Sequence, residues 1–151
     1  MSVLVDTNIL LYAALPDVPE HQRARTWLTS TLSDPDATVG LCWPVLVSLA
    51  RLLCSRAIMG DAAISVPRAW AVAEAFRAHP GTRMVGEGPR HADLLTTLAT
   101  TPGLTARDVP DLQIAALAIE NGLAVITHDS GFTRFAMLSW IDPITAESSK
   151  A

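Results

Sequence analysis

Three aspartates carry the chemistry open to this sequence. Asp6 lies between Val3-Leu4-Val5, which reads as a buried strand, and the apolar run Ile9-Leu10-Leu11-Tyr12-Ala13. A carboxylate between two dry segments is costly unless it is hydrogen-bonded, paired or bound to a metal. Asp129 follows the strand-like Val125-Ile126-Thr127, and Asp111 falls in the first turn of an apolar helix beginning near 109. Carboxylates that converge in a cleft repel one another, and burial raises their pKa values further. A hard divalent cation relieves both effects. Magnesium and manganese prefer oxygen ligands and keep several waters, so two or three Asp side chains suffice. Such an ion orients water and stabilises charge developing on a phosphodiester, with no nucleophile supplied by the protein.

Each acid also has a plainer reading. Asp108 is placed to cap the helix that follows, and Asp108-x-x-Asp111 resembles a capping box, so Asp111 stays open between cap and ligand. Asp129 could begin an Asx-turn with Ser130-Gly131. Thr7 and Asn8 either orient the Asp6 carboxylate and a metal-bound water or cap the next helix. His128 beside the turn could donate to a phosphate or leaving group. His21, His79 and His91 fall on polar faces or element ends without ligand spacing. Trp27, Trp43, Trp70 and Trp140 occupy core-like positions.

The elements that must position these residues follow from periodicity and breakers. Strands are expected over 2–6, 38–42, 82–85 and 124–127, with a short one near Trp140-Ile141. Helices are expected over 8–15, 19–32, 44–58, 66–78, 89–100 and from about 109 to the Asn121-Gly122 stop. Strands separated by helices indicate an α/β fold with a mainly parallel sheet. In such sheets ligands bind beyond the carboxyl ends of the strands, where strand order switches. That rule aims Asp6 and Asp129 at one edge.

A chain of 151 residues, half of them apolar and without low-complexity tracts, reads as one domain over 1–151. The net charge of −4 argues against a broad basic surface that grips nucleic acid by charge alone. Cys42 and Cys54 have no zinc spacing and read as reduced thiols. The N-terminus lacks a basic n-region, and the uncharged stretch 37–50 is too short to span a bilayer. A cytoplasmic protein without a membrane segment is expected.

Four segments together resemble the PIN-domain ribonucleases, specifically the VapC-type toxins of toxin–antitoxin pairs. They are VDTNILLYA, CWPVLVSLARLL, DVPDLQIAALAIENGLAVITHDSGFTRF and LSWIDPI, in order over nearly the whole chain. The resemblance implies a PIN-like three-layer α/β/α sandwich around a central sheet of four to five strands. It also implies a magnesium- or manganese-dependent endoribonuclease of a type II system. Asp6 matches the family's first acidic ligand, Asp111 its late helix acid and Asp129 the acid after the last core strand. Thr7 and Asn8 match the polar pair beside the first acid. A transfer or ribosomal RNA substrate, a small cognate antitoxin and a homodimer come with the family. By analogy, residues 9–15 and 43–54 line the antitoxin groove.

Two positions depart from the pattern. Ser48 stands where the family commonly has Glu, and Gly131 where many members carry a second Asp. Asp108 or Asp93 are possible substitutes, and three matched acids favour a single metal over a two-metal clamp. The alternative is a catalytically weak or inert PIN-fold module that binds antitoxin or RNA. An acidic-pocket phosphatase or receiver domain is disfavoured: no DxDxT surrounds Asp6, and the only lysine is Lys150.

Overall fold

A computed structural model describes residues 1–149. In chain order the elements are β1 (Ser2–Val5), α1 (Thr7–Ala14), α2 (His21–Leu32), β2 (Thr38–Leu41), α3 (Trp43–Cys54), α4 (Arg56–Met59) and α5 (Val66–Arg77). Then come β3 (Thr82–Met84), α6 (His91–Leu98), α7 (Val109–Glu120), β4 (Ala124–Ile126), β5 (Trp140–Asp142) and β6 (Glu147–Ser148). Short 3-10 turns cover Gly60–Ala62, Ala106–Asp108 and Ser130–Arg134.

The strands form one sheet in the order β3-β2-β1-β4-β5-β6, parallel except for β6. Four to five strands were expected. The sixth is a two-residue polar strand that folds back on β5, too short to show alternation. From β1 to β3 the chain steps one way across the sheet; it then returns past β1 to β4 and β5. With right-handed crossovers, α1, α2, α3 and α5 pack together on one face, and α6 with α7 on the other. Strand order therefore switches between β1 and β4.

Those two strands are driest. Val3, Leu4, Val5, Val125 and Ile126 are fully buried, consistent with a sheet covered on both faces. Beside them Gly40 permits close approach: a Cβ there would sit 2.7 Å from Val85 Cγ2 and 2.9 Å from the Val3 carbonyl. α7 lies close to the sheet because Ala115, Ala116 and Ala118 fill its inner face. It stops at Gly122, whose φ of 65° few other residues adopt readily.

Several sequence expectations need correction. The helix expected over 44–58 breaks at Ser55 into α3 and α4. Trp43 and Trp70 are exposed, because each projects from the outer face of its helix, while Trp27 and Trp140 are half-buried. His91 is buried rather than on a polar face: α6 packs on α7 and presses its ring toward Glu120, 3.5 Å away. Cys42 and Cys54 are free thiols. Among the described residues no helix is long and apolar enough to cross a membrane.

Candidate active site

Asp6 leaves β1 at the switch point and is buried. Its backbone N–H donates to the Ile126 carbonyl at 2.9 Å, extending the β1–β4 pairing to the acid itself. Its side chain caps α1: Oδ1 accepts from the Thr7 N–H at 2.7 Å. Oδ2 accepts from Thr127 Oγ1, also at 2.7 Å. Burial outweighs these hydrogen bonds, and with Asp129 nearby the carboxyl is pushed up to about 6.

Thr127 joins both sides of the switch. Besides donating to Asp6, its hydroxyl accepts from the Asp129 N–H at 3.0 Å and from Asn8 Nδ2 at 3.3 Å. Asn8 completes the link by accepting the His128 N–H at 3.2 Å. Thr7, the other polar neighbour, reaches the Val45 carbonyl on α3 at 3.4 Å. Sequence reasoning assigned no role to Thr127; strand register alone puts its hydroxyl opposite Asp6.

Asp129 does begin an Asx-turn, with Oδ1 accepting the Gly131 N–H at 2.8 Å. The turn is anchored by Phe132 and Phe135, both buried, whose rings meet edge to face at 6.2 Å. A Cβ on Gly131 would lie 3.1 Å from Asp129 Oδ1 and 3.7 Å from Asp111 Oδ2, so those carboxylates share one space. Asp111 sits in the first turn of α7, where a helix N-terminus favours its charge. The opposite wins: burial, then Asp6, Asp129 and Asp108, push it up to about 7. Its side chain accepts no hydrogen bond among the described residues. This counts against the cap reading of Asp111.

Asp108 belongs to a different structure. The capping box falls one turn earlier, between Thr105 and Asp108. Asp108 Oδ2 accepts from the Thr105 N–H at 2.7 Å, Thr105 Oγ1 at 3.1 Å and Arg134 Nη1 at 3.0 Å. The Thr105 N–H foremost holds this carboxyl below the usual range. Expected both as the cap of α7 and as a possible ligand, Asp108 makes no side-chain cap bond to α7, and its Oδ2 is engaged by Thr105 and Arg134. Asp93 is exposed in the first turn of α6, while Ser48 is half-buried on α3.

His128 is not alone. Its Nδ1 lies 2.8 Å from Asp142 Oδ2, and Asp142 Oδ1 accepts from the N–H groups of Ile144 at 2.8 Å and Thr145 at 3.3 Å. Burial would raise Asp142, but His128 and the two backbone donors outweigh it and hold the carboxyl below its usual range. Asp142 was missed because β5 brings it beside His128 through sheet pairing, not through sequence spacing.

Among the described residues no group of three or more His, Cys, Asp or Glu side chains is gathered closely enough to hold a metal ion. Asp6, Asp111 and Asp129 lie near one another as an all-oxygen set, Asp129 adding to the rise at Asp6 and both of them to the rise at Asp111. That set fits a cation that retains waters.

The PIN domain family matches residues 3–138. Ribonuclease VapC33 of Mycobacterium tuberculosis is 32% identical over 144 residues, 94% of this chain and 98% of that protein. Ribonuclease VapC37 of the same organism is 34% identical over 145 residues, 93% of this chain and 96% of its own length. The VapBC-1 structure from nontypeable Haemophilus influenzae shares the fold at a TM-score of 0.70 and 16% identity, covering 95% of this chain and 98% of that one. The chain belongs to the PIN-domain family, in the branch of the VapC-type ribonucleases.

Proposed function

We propose that this chain is the endoribonuclease toxin of a type II toxin–antitoxin pair, in which Asp6, Asp111 and Asp129 hold one magnesium or manganese ion. The observation that carries the metal assignment is Asp111. Its carboxylate has no hydrogen-bond partner among the described residues and is pushed up to about 7 by burial and by the acids beside it. A divalent ion, when bound, supplies a polarised water and stabilises the charge that develops on the phosphodiester.

The chain's own residues do the positioning. Thr7 and Thr127 each fix one oxygen of Asp6, so its orientation is set before any ligand arrives. The Gly131 N–H fixes one oxygen of Asp129. Asn8 ties the exit of β4 to α1, holding the acids of both strands at one height. With Ser48 and Gly131 in place of two acids, charge is enough for one ion. An inert binding module is not favoured, since the curated relatives above are named ribonucleases.

The family reading brings with it a small cognate antitoxin, a homodimer, a transfer or ribosomal RNA substrate and a site of action in the cytoplasm. The test is cleavage of structured RNA by purified protein with magnesium or manganese. Asp6→Asn is expected to lower the rate about a thousandfold, the loss of several kcal/mol of charge stabilisation. Equal cutting by wild type and Asp6→Asn with both metals would falsify the assignment.

A further inference from the structure

Beside the acids lies a pair of rings that the proposed hydrolysis does not use. Tyr12, the only tyrosine, is one helical turn from Asn8 and on the same face of α1. Its half-buried ring meets His128 edge to face, with centroids 6.1 Å apart and planes at 69°. The His128 ring is held from behind, and the backbone that carries Tyr12 is anchored. His128 is fixed by Asp142 through Nδ1 and by Asn8 through its backbone N–H. The Tyr12 carbonyl pairs with His21 Nδ1 at 2.8 Å, tying that turn of α1 to α2. Nothing in the described residues uses the front: neither the Tyr12 hydroxyl nor His128 Nε2 makes a hydrogen bond to them. Burial first, then Glu20, Asp129, Asp142 and Asp6, raise the Tyr12 hydroxyl, which places that hydroxyl within reach of the acid centre's field.

Partly exposed aromatic rings next to a proposed phosphate-processing centre are what an unpaired nucleotide binds, since every base offers a face for stacking. We infer that Tyr12 and His128 form a nucleotide subsite that takes one unpaired RNA base adjacent to the scissile phosphate. Asp142 is a positioning residue for it. With Nδ1 engaged by Asp142, His128 leaves Nε2 free to hydrogen-bond the ribose 2′-hydroxyl, a group deoxyribose lacks. The inference rests on the endoribonuclease reading and adds to it that the cut strand is locally single-stranded.

The experiment is steady-state cleavage of a labelled single-stranded RNA and of the same sequence in a duplex, with manganese. Tyr12→Leu and His128→Asn are each expected to raise KM about tenfold while kcat stays within about twofold, the size of one lost base stack. Tyr12→Phe keeps the ring and is expected to cut like wild type. Asp142→Asn is expected to raise KM in the same direction. Melting curves with and without manganese check that the acid centre is intact; if Tyr12→Leu does not fold, His128→Asn decides. Wild-type KM in both ring variants, a fall in kcat with KM unchanged, or equal cutting of duplex and single strand overturns the subsite and leaves the nuclease standing. A wild type that cuts no RNA overturns both.

Discussion

Replacing Asp6 by Asn should make the metal-free protein more stable while removing its activity. Asp6 is only 6% exposed, and its carboxyl is pushed from 3.8 to about 6. At about 1.4 kcal/mol per pKa unit, holding it ionised costs about 3 kcal/mol of folding free energy. The sign follows from linkage. A carboxyl with a raised folded-state pKa contributes stability below its unfolded value, and that contribution is lost as pH rises through about 6. Asn is neutral at every pH and escapes that cost. It forfeits one hydrogen bond, however, since the acid accepts from both Thr7 and Thr127 and an amide accepts through one atom only. Thr127 Oγ1 already accepts from Asn8 and Asp129, so the loss is about 1–2 kcal/mol. The net gain is about 1–2 kcal/mol, or about 3–6 °C in melting temperature for a chain of this size. Thermal melts in chelator should show that gain near about pH 8 and its disappearance near about pH 4. Adding manganese should raise the melting temperature of wild type and not of the variant. An Asn variant that melts at or below wild type near pH 8, or differs by the same amount at every pH, refutes the claim that the charge at Asp6 is strained.

Further outcomes follow from the same geometry. Manganese affinity, measured by calorimetry, should fall about tenfold per pH unit below about 7, because Asp111 must lose a proton to bind. Gly131→Asp would place a fourth carboxyl beside Asp129 and Asp111. It should raise manganese affinity about tenfold and lower the metal-free melting temperature by a few degrees. Gly40→Ala would drive a methyl group into the Val3 carbonyl and Val85; denaturant melts should show a loss of about 2–3 kcal/mol.

Positions governed by local pattern were legible in the sequence; positions governed by partners far along the chain were not. Asp6 and Asp129 could be aimed at one edge because each ends an apolar run short enough to be a strand, and parallel sheets bind at that edge. The cap reading of Asp108 failed because Arg134, 26 residues on, takes up its carboxylate together with Thr105. Thr127 and Asp142 became visible only through register, which sets a hydroxyl opposite Asp6 and a carboxylate beside His128. His91 gave no sign of burial, since its neighbour Glu120 comes from the far end of the next helix, α7. Trp43 and Trp70 show the converse: a large apolar side chain on a helix does not by itself mark the inward face.

The pairing of β1 with β4 also sets a timetable for synthesis. β1 is made well before β4, yet Val3 pairs with Ala124 and Asp6 is held by Thr127. Until β4 has left the ribosome, Asp6 has neither its hydroxyl donor nor Asp129 beside it. A translating ribosome thus carries a chain with only part of the proposed acid set, and truncated products ending before β4 lack Asp129. The proposed acid set is assembled late, when β1 is joined by a strand made well after it.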